Sequence, residues 1–150
     1  MSNNKFNANN ASLSVDLSEA RQAVKENRFQ DALDLFEIIL KDDPDHIDSL
    51  YLAAVSSRYL KNFDESKKFI KQLMIIAPDM GRAYQELGHI FRDMGKIDKA
   101  VVHYRQACEL NPALLASWSA LYKYFTENKN QPAADHAREQ IEKLQSLPSA

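Results

Sequence analysis

Two residues of this sequence have the spacing of a metal-binding pair. Glu86 and His89 are three positions apart, the step at which helices of di-iron bundles present two ligands from one face. Such a site needs a second pair of the same kind and further carboxylates, and the sequence contains a single pair. The acidic run DDPDHID at 42–48 lacks the central glycine and closing glutamate of a calcium loop, so a turn with helix caps is predicted there. We therefore predict no metal site.

The sequence also lacks the parts of a catalytic centre. Cys108 is the single cysteine, and His103 lies nearby on the same predicted helix. A nucleophilic thiol requires an activating base and a site for the oxyanion, and nothing in the sequence marks either. There is no glycine-rich loop that could hold a phosphate. We predict a half-buried structural cysteine, no catalytic residue and no cofactor, so the chain by itself is not expected to be an enzyme.

The overall composition is that of a soluble folded protein. The chain has 150 residues, of which 45% are hydrophobic and 27% are charged. Its formal charge of −2 argues against a nucleic-acid partner, because phosphate binding needs a basic surface. One cysteine suits a reducing compartment, and neither a signal peptide nor an apolar run of ~18 residues is present. We expect a cytoplasmic protein without membrane contact, with a flexible polar tail at 1–12.

The prolines indicate which elements carry these side chains. Pro44, Pro78 and Pro112 follow one another at intervals of 34 residues, and each is expected to end a helix because proline cannot continue the hydrogen-bond ladder. Apolar residues recur three and four apart, which predicts an all-α chain of amphipathic helices. Superposing the segments at this interval aligns eight columns: Leu50/Tyr84/Trp118, Ala53/Leu87/Leu121, Ala54/Gly88/Tyr122, Ser57/Phe91/Phe125, Phe29/Phe63/Ile97, Ala32/Ser66/Ala100, Phe36/Ile70/Tyr104 and Ile39/Leu73/Ala107.

These columns resemble the tetratricopeptide repeat, whose pattern is W-x2-L-G-x2-Y, then A-x3-F, then P. The third unit is the most similar, through Tyr84, Leu87, Gly88, Phe91, Gly95, Ala100, Tyr104 and Pro112. The resemblance covers 13–147 and implies a right-handed α-solenoid of about four helix-turn-helix hairpins, at about 13–46, 47–80, 81–114 and 115–147. The first and last hairpins are imperfect, since Asp16 stands in the tryptophan column and Arg138 in the large aromatic column.

The turns inside the hairpins follow from single residues. Gly95 is expected to adopt positive φ between the helices of the third hairpin. The second hairpin has Lys61 at that place, so a differently built turn is predicted there. Asp45 and Asp79 directly follow two of the prolines and are predicted to cap the helices that begin there.

The helix faces of the third hairpin are predicted from its periodicity. Gly88 and Ala100 are small residues that should face bulky side chains and let the paired helices approach closely. Ile97 is expected to be buried on the second helix of that hairpin. A single hairpin cannot bury its apolar face alone, so neighbouring hairpins must stack.

The resemblance implies a concave groove lined by the first helix of each hairpin, which would bind a protein or peptide segment. Arg58 and Arg92 occupy equivalent places, so a partner that carries carboxylates is expected. The competing interpretation is that the charged side chains are solvated and paired with Asp48, Glu86, Asp93 and Glu127. The groove would present Arg21, Tyr51, Val55, Arg58, Tyr59, Gln85, His89, Arg92, Ser119 and Lys123.

One subfamily binds chaperone tails through a two-carboxylate clamp, which this sequence lacks. The equivalent places hold Leu17, Arg21, Leu52, Arg82 and Glu86, of which Arg82 alone fits. A second resemblance is to the N-terminal repeats of bacterial tetratricopeptide-containing sulfotransferases, through 81–118 and QIEKLQSLP at 140–148. It implies that the chain is the repeat region of a larger enzyme. A third hypothesis is a homo-oligomer, in which an apolar end around Trp118, Tyr122 and Phe125 stacks on a second copy.

Overall fold

The computed structural model describes residues 17–148, and the regular secondary structure in this range is entirely helical. The predicted all-α fold is confirmed. The tail predicted at 1–12 and the departure at Asp16 lie outside the described residues. The helices are α1 (17–25), α2 (Phe29–Asp42), α3 (Ile47–Tyr59), α4 (Phe63–Ile76), α5 (Gly81–Asp93), α6 (Ile97–Leu110), α7 (Leu115–Glu127) and α8 (Gln131–Gln145).

The chain divides into two compact units between Pro78 and Asp79. Unit 1 holds α1 to α4, in which α3 packs against both α2 and α4. Unit 2 holds α5 to α8, in which α5 pairs with α6, α7 pairs with α8, and α7 also contacts α5 and α6. Within each unit, sequential helices therefore form antiparallel hairpins that pack on their neighbours, as a helical repeat requires.

The four hairpins share one type of turn between their two helices. A residue with left-handed φ follows the first helix in every case: Asn27 (60°), Lys61 (63°), Gly95 (78°) and Lys129 (57°). In the second turn the Lys61 N–H donates to the Arg58 carbonyl at 2.9 Å and the Asn62 N–H donates to the Ser57 carbonyl at 2.8 Å. These two bonds form a Schellman motif, so the expectation of a different turn at Lys61 was wrong. The two hydrogen bonds hold the lysine in a conformation that glycine adopts more readily.

The second helix of each of the first three hairpins ends where the prolines predict. Helices α2, α4 and α6 end at Asp42, Ile76 and Leu110, two residues before each proline. The predicted caps were wrong. The N-cap of α3 is His46, whose Nδ1 accepts from the Ser49 N–H at 3.2 Å, and α5 begins after Met80 without a side-chain cap. Both aspartates lie one residue too early to reach the free N–H groups of the helix.

Unit 2 confirms the predicted close approach at Gly88. A Cβ built on this glycine would lie 2.6 Å from Cε1 of Tyr104, whose side chain is buried against α5. Ile97, in contrast, was wrongly predicted to be buried, since 44% of it is exposed. It is the first residue of α6 and faces a cavity rather than a neighbouring helix.

Each unit has its own apolar cluster. In unit 1 the cluster comprises Ala20, Ala23, Ala32, Leu33, Phe36, Ile39 and Ala53. In unit 2 it comprises Ala100, Val101, Tyr104, Cys108, Leu121, Phe125, Ala134 and Ala137. Cys108 is more deeply buried than predicted, with 5% exposed.

Candidate peptide-binding groove

A cavity of about 430 Å³ opens among α5, α6 and α7 of unit 2, and we call it the groove. The three helices meet here because Gly88 lets α6 approach α5 closely, while α7 packs against both. The residues that line it are His89, Arg92, Ile97, Ala100, Val101, Tyr104, Ala116, Ser119, Ala120, Lys123, Tyr124 and Glu127.

The floor of the groove is apolar, and a polar contact between His89 and Tyr104 lies at its edge. Ala100, Val101 and Tyr104 on α6 are buried. The Tyr104 hydroxyl and Nδ1 of His89 are hydrogen-bonded at 2.7 Å, and the two rings meet edge to face with centroids 5.4 Å apart. This bond holds the imidazole of His89 against the floor, so the groove combines apolar contact area with a polar group of fixed orientation.

The rim of the groove is mainly basic. Arg92 and Lys123 project from α5 and α7 with exposed side chains, and Glu127 is the single acidic residue of the lining. Nη2 of Arg92 lies 3.0 Å from Oδ1 of Asp93, so part of its charge is already compensated at the surface. An apolar floor beside a basic rim is suited to a segment that presents an apolar side chain next to a carboxylate.

The structure brings four of the ten predicted residues together. His89, Arg92, Ser119 and Lys123 all line the groove. Gln85 does not line it, because its Oε1 accepts a hydrogen bond of 2.8 Å from the buried Ser117 hydroxyl.

The other five predicted residues belong to unit 1. Arg21 forms an exposed ion pair of 2.7 Å with Asp48, one of the partners named by the competing interpretation. Arg58 is buried, with its guanidinium carbon 4.6 Å from the centre of the Tyr59 ring. Tyr51 and Val55 are half-buried on α3. A continuous arrangement of these residues with those of unit 2 stays a prediction.

Tyr59 forms an exposed aromatic platform in unit 1. It is 55% exposed, and its ring is parallel to that of Phe29, with centroids 4.4 Å apart and an angle of 3° between the planes. With the Arg58 guanidinium also beside the ring, its position is fixed by contacts within unit 1.

Sequence reasoning missed part of the lining. Tyr104 was assigned to the core, yet its hydroxyl reaches the groove through His89. Ala116, Ala120 and Glu127 share one face of α7 with Lys123, because these positions recur three and four residues apart. That periodicity was available in the sequence, but small residues such as Ala116 do not stand out as binding residues.

The candidate metal ligands and the cysteine lie in packed surroundings that do not form a metal or catalytic site. Glu86 is buried, with 1% exposed, and His89 faces Tyr104 rather than a second ligand pair. Within 17–148, no three His, Cys, Asp or Glu side chains cluster closely enough to hold a metal ion. Burial, together with the charge of Glu109, raises the pKa of the Cys108 thiol to about 12, which opposes formation of the reactive thiolate. His103 stacks on Phe91, with ring centroids 5.2 Å apart.

Among the described residues, none of the helices has the length and apolar character needed to span a bilayer.

The comparisons with known proteins agree with the repeat geometry. The sequence model of the tetratricopeptide repeat matches 81–114, and no curated protein matches the chain. Among solved structures, MamA 41-end from Desulfovibrio magneticus RS-1 superposes with a TM-score of 0.74 at 18% identity, covering 91% of this chain and 78% of that one.

Two further structures show the same fold. A thermophilic tetratricopeptide protein from Thermus thermophilus, TTC0263, has a TM-score of 0.74 at 20% identity and covers 91% of this chain and 76% of its own. The Arabidopsis OM64 tetratricopeptide domain has a TM-score of 0.66 at 16% identity, covering 86% and 96%. The family model therefore identifies a tetratricopeptide repeat at 81–114, and the solved structures show that the chain has the fold of helical tetratricopeptide arrays.

Proposed function

We propose that the chain is a non-catalytic interaction module that binds a protein or peptide segment, and that the groove of unit 2 is the binding face. The observation that carries this proposal is the pairing of an apolar floor with a basic rim in one cavity. Ile97, which is 44% exposed, and the half-buried Tyr124 offer apolar contact area beside this floor, while Arg92 and Lys123 can meet a carboxylate. The partner expected is therefore a segment with an apolar side chain beside an acidic one.

The test reverses one rim charge and compares it with a matched reversal elsewhere. Lys123→Glu places a second acidic side chain beside Glu127, whereas Lys143→Glu makes the same change on the exposed surface of α8, outside the groove. Partners would be captured from lysate, identified by mass spectrometry and reduced to the shortest binding peptide. Titration calorimetry should then show that Lys123→Glu weakens that peptide by about tenfold or more, and Lys143→Glu by little.

Two outcomes would count against the groove. One is equal affinity for the peptide in the wild type and Lys123→Glu. The other is an equal loss in both charge variants, which would indicate a general electrostatic effect. Circular dichroism of each variant, with an unchanged melting temperature, confirms that the fold survives the substitution.

The second candidate function is the repeat region of a larger enzyme. The observation behind it is the similarity to a Thermobaculum terrenum O-GlcNAc transferase, which superposes with a TM-score of 0.70 at 19% identity. The match covers 77% of this chain but 22% of that enzyme. A coding sequence that continues past Ala150 into a catalytic domain, of the sulfotransferase or another type, would favour this candidate. A stop codon at that point would oppose it.

Two finer proposals accompany the first. A cytoplasmic location is supported by the single, buried Cys108, which suits a reducing compartment. Self-association through the last hairpin is supported by Tyr122 and Leu147, which are 37% and 65% exposed. Light scattering over a concentration series tests the second proposal, and a mass that stays at 17.1 kDa would exclude it.

A further inference from the structure

The charged residues that line the groove are distributed unevenly along it. On α7, Lys123 and Glu127 are one helical turn apart, so their side chains lie on one face, separated by about 6 Å along the helix axis. Both residues are exposed, and within 17–148 neither of them forms an ion pair. A lysine that precedes a glutamate is the less favourable order for a pair within one helix. One positive and one negative charge can therefore both meet a partner at the rim of the groove.

The level of the groove at Lys123 is positive. Lys123 on α7 and His89 on α5 occupy equivalent positions one repeat apart, so they lie at the same level of the groove. His89 is hydrogen-bonded to the Tyr104 hydroxyl at 2.7 Å. Among the described residues that line the groove, Glu127 is the single acidic one, and it lies a turn away. Lys123 is thus placed to meet a carboxylate of the partner, as the proposed function requires.

One turn further along α5 and α7 the groove is acidic. Arg92 lies at this level, but its Nη2 is 3.0 Å from Oδ1 of Asp93. The Tyr124 hydroxyl donates to Oδ1 of Asp98 at 3.3 Å, which brings a further carboxylate to this end. With Glu127, three carboxylates accompany one guanidinium at this level. A cation of the partner would be attracted here, whereas a second carboxylate would be repelled.

We propose that the segment bound in the groove carries an acidic and a basic side chain on one face, with the acidic one beside Lys123 and the basic one beside Glu127. A separation of about 6 Å matches residues three or four apart in a helix, or residues two apart in an extended segment. The inference rests on the proposed function of the groove and adds an order of charges to it. Glu127 then determines specificity, because it disfavours segments that carry two acidic residues at these places.

The experiment selects peptides from a random phage-displayed library on the immobilised whole chain. Selection is repeated on Lys123→Glu, on Glu127→Lys and on Glu139→Lys, which makes the second of these charge changes on the exposed surface of α8 outside the groove. The wild type and Glu139→Lys should enrich peptides in which a basic residue lies about two to four positions from an acidic one. Glu127→Lys should keep the preference for the acidic residue and lose the preference for the basic one.

The affinity of one enriched peptide measures the size of the effect. Titration calorimetry compares the peptide selected by the wild type with a version in which glutamate replaces its basic residue. The wild type should bind the original about fivefold or more tightly, since the change replaces an attraction by a repulsion at an exposed rim. Glu127→Lys should reverse this order, and Glu139→Lys should leave it unchanged. The preference should shrink at high salt, because salt screens exposed charges.

The outcomes separate this inference from the proposed function. If no peptide is enriched, or if Lys123→Glu selects the same acidic residue, the groove is not the binding face and both proposals fail. If the acidic preference depends on Lys123 but the basic preference is absent or survives in Glu127→Lys, the proposed function stands and the order of charges is overturned. Should circular dichroism show that Glu127→Lys does not fold, Glu127→Gln replaces it, and a preference as large as that of the wild type overturns the inference.

Discussion

Ser57 lies fully buried in α3, where the equivalent positions of unit 2 hold Phe91 and Phe125. Its Oγ has no hydrogen-bond partner among the described residues. Ser66, also fully buried, donates from its Oγ to the Ala54 carbonyl at 2.6 Å. These two buried serines of unit 1 thus differ in whether the hydroxyl is hydrogen-bonded.

We expect Ser57→Ala to stabilise the protein by about 1 kcal/mol, because it removes a hydroxyl whose loss of hydration is not compensated. Ser66→Ala should destabilise it by a similar amount, since it removes a buried hydrogen bond. Urea unfolding of both variants measures the two free energies. A loss of stability in both would show that the Ser57 hydroxyl is satisfied in solution.

Glu37 makes the free energy of unfolding depend on pH. Glu37 is exposed on α2, but partial desolvation by its surroundings, and then the neighbouring carboxylate of Glu65, raise its pKa above 4.5. A raised folded-state pKa means that the folded protein binds this proton more tightly than the unfolded chain. This contribution therefore favours folding as the pH falls through the folded pKa towards 4.5, and it is unfavourable at neutral pH.

Glu37→Gln should consequently be more stable than the wild type at pH 7, and the difference should shrink as the pH approaches 4.5. Thermal unfolding between pH 7 and pH 4.5 measures it, with Glu139→Gln on the exposed surface of α8 as control. A constant difference over this range would indicate that the pKa of Glu37 is not raised in the folded protein.

The elements of this chain are joined by four equivalent turns, and two of these carry lysine at left-handed φ. Lys61 and Lys129 have φ of 63° and 57°, which costs a residue with a Cβ about 1 kcal/mol or more relative to glycine. The Schellman hydrogen bonds and helix packing stabilise the turn despite this cost. The four turns of this chain therefore keep one backbone conformation with different residues at the left-handed position.

Lys129→Gly should raise the free energy of unfolding by about 0.5–1 kcal/mol, since it removes the steric cost at positive φ and glycine loses some of this gain through backbone entropy. Lys68→Gly, at an exposed position within α4, should lower it by about 1 kcal/mol. Chemical unfolding of both variants distinguishes a turn effect from a general effect of glycine. Destabilisation by Lys129→Gly would contradict the assigned conformation.

The whole molecule consists of two units, each with an apolar cluster drawn from its own helices. Repeat proteins are stabilised by interactions between neighbours, so local damage can remain local. Gly88 offers a way to test this, because any side chain at that position collides with the buried ring of Tyr104.

Gly88→Ala should destabilise unit 2 by about 2–3 kcal/mol through the displacement of Tyr104. Hydrogen exchange measured by mass spectrometry should show faster exchange across α5 to α8 and smaller changes across α1 to α4. Gly95→Ala, in the turn after α5, is the comparison within the same unit: a Cβ there meets no neighbouring atom, and the variant should lose only about 1 kcal/mol from the positive φ of this residue, less than Gly88→Ala loses. An equal increase of exchange in both units after Gly88→Ala would mean that they unfold as one.

The sequence by itself determined the repeat. Proline ends a helix through contacts within one helical turn, so the effect can be read from the local sequence. The 34-residue spacing of Pro44, Pro78 and Pro112 therefore determined where three of the helices end. The same local physics predicted the turn at Gly95 and the tight contact at Gly88. Local rules failed at Asp45 and Lys61, where the helix start and the turn hydrogen bonds depend on the precise path of the backbone.

Only the tertiary structure decided which side chains share a cavity. His89 and Lys123 meet in the groove because α5 and α7 pack on α6, and Gln85 is excluded because its side chain is already hydrogen-bonded to Ser117. Helices are encoded by neighbouring residues, whereas cavities result from the packing of distant ones.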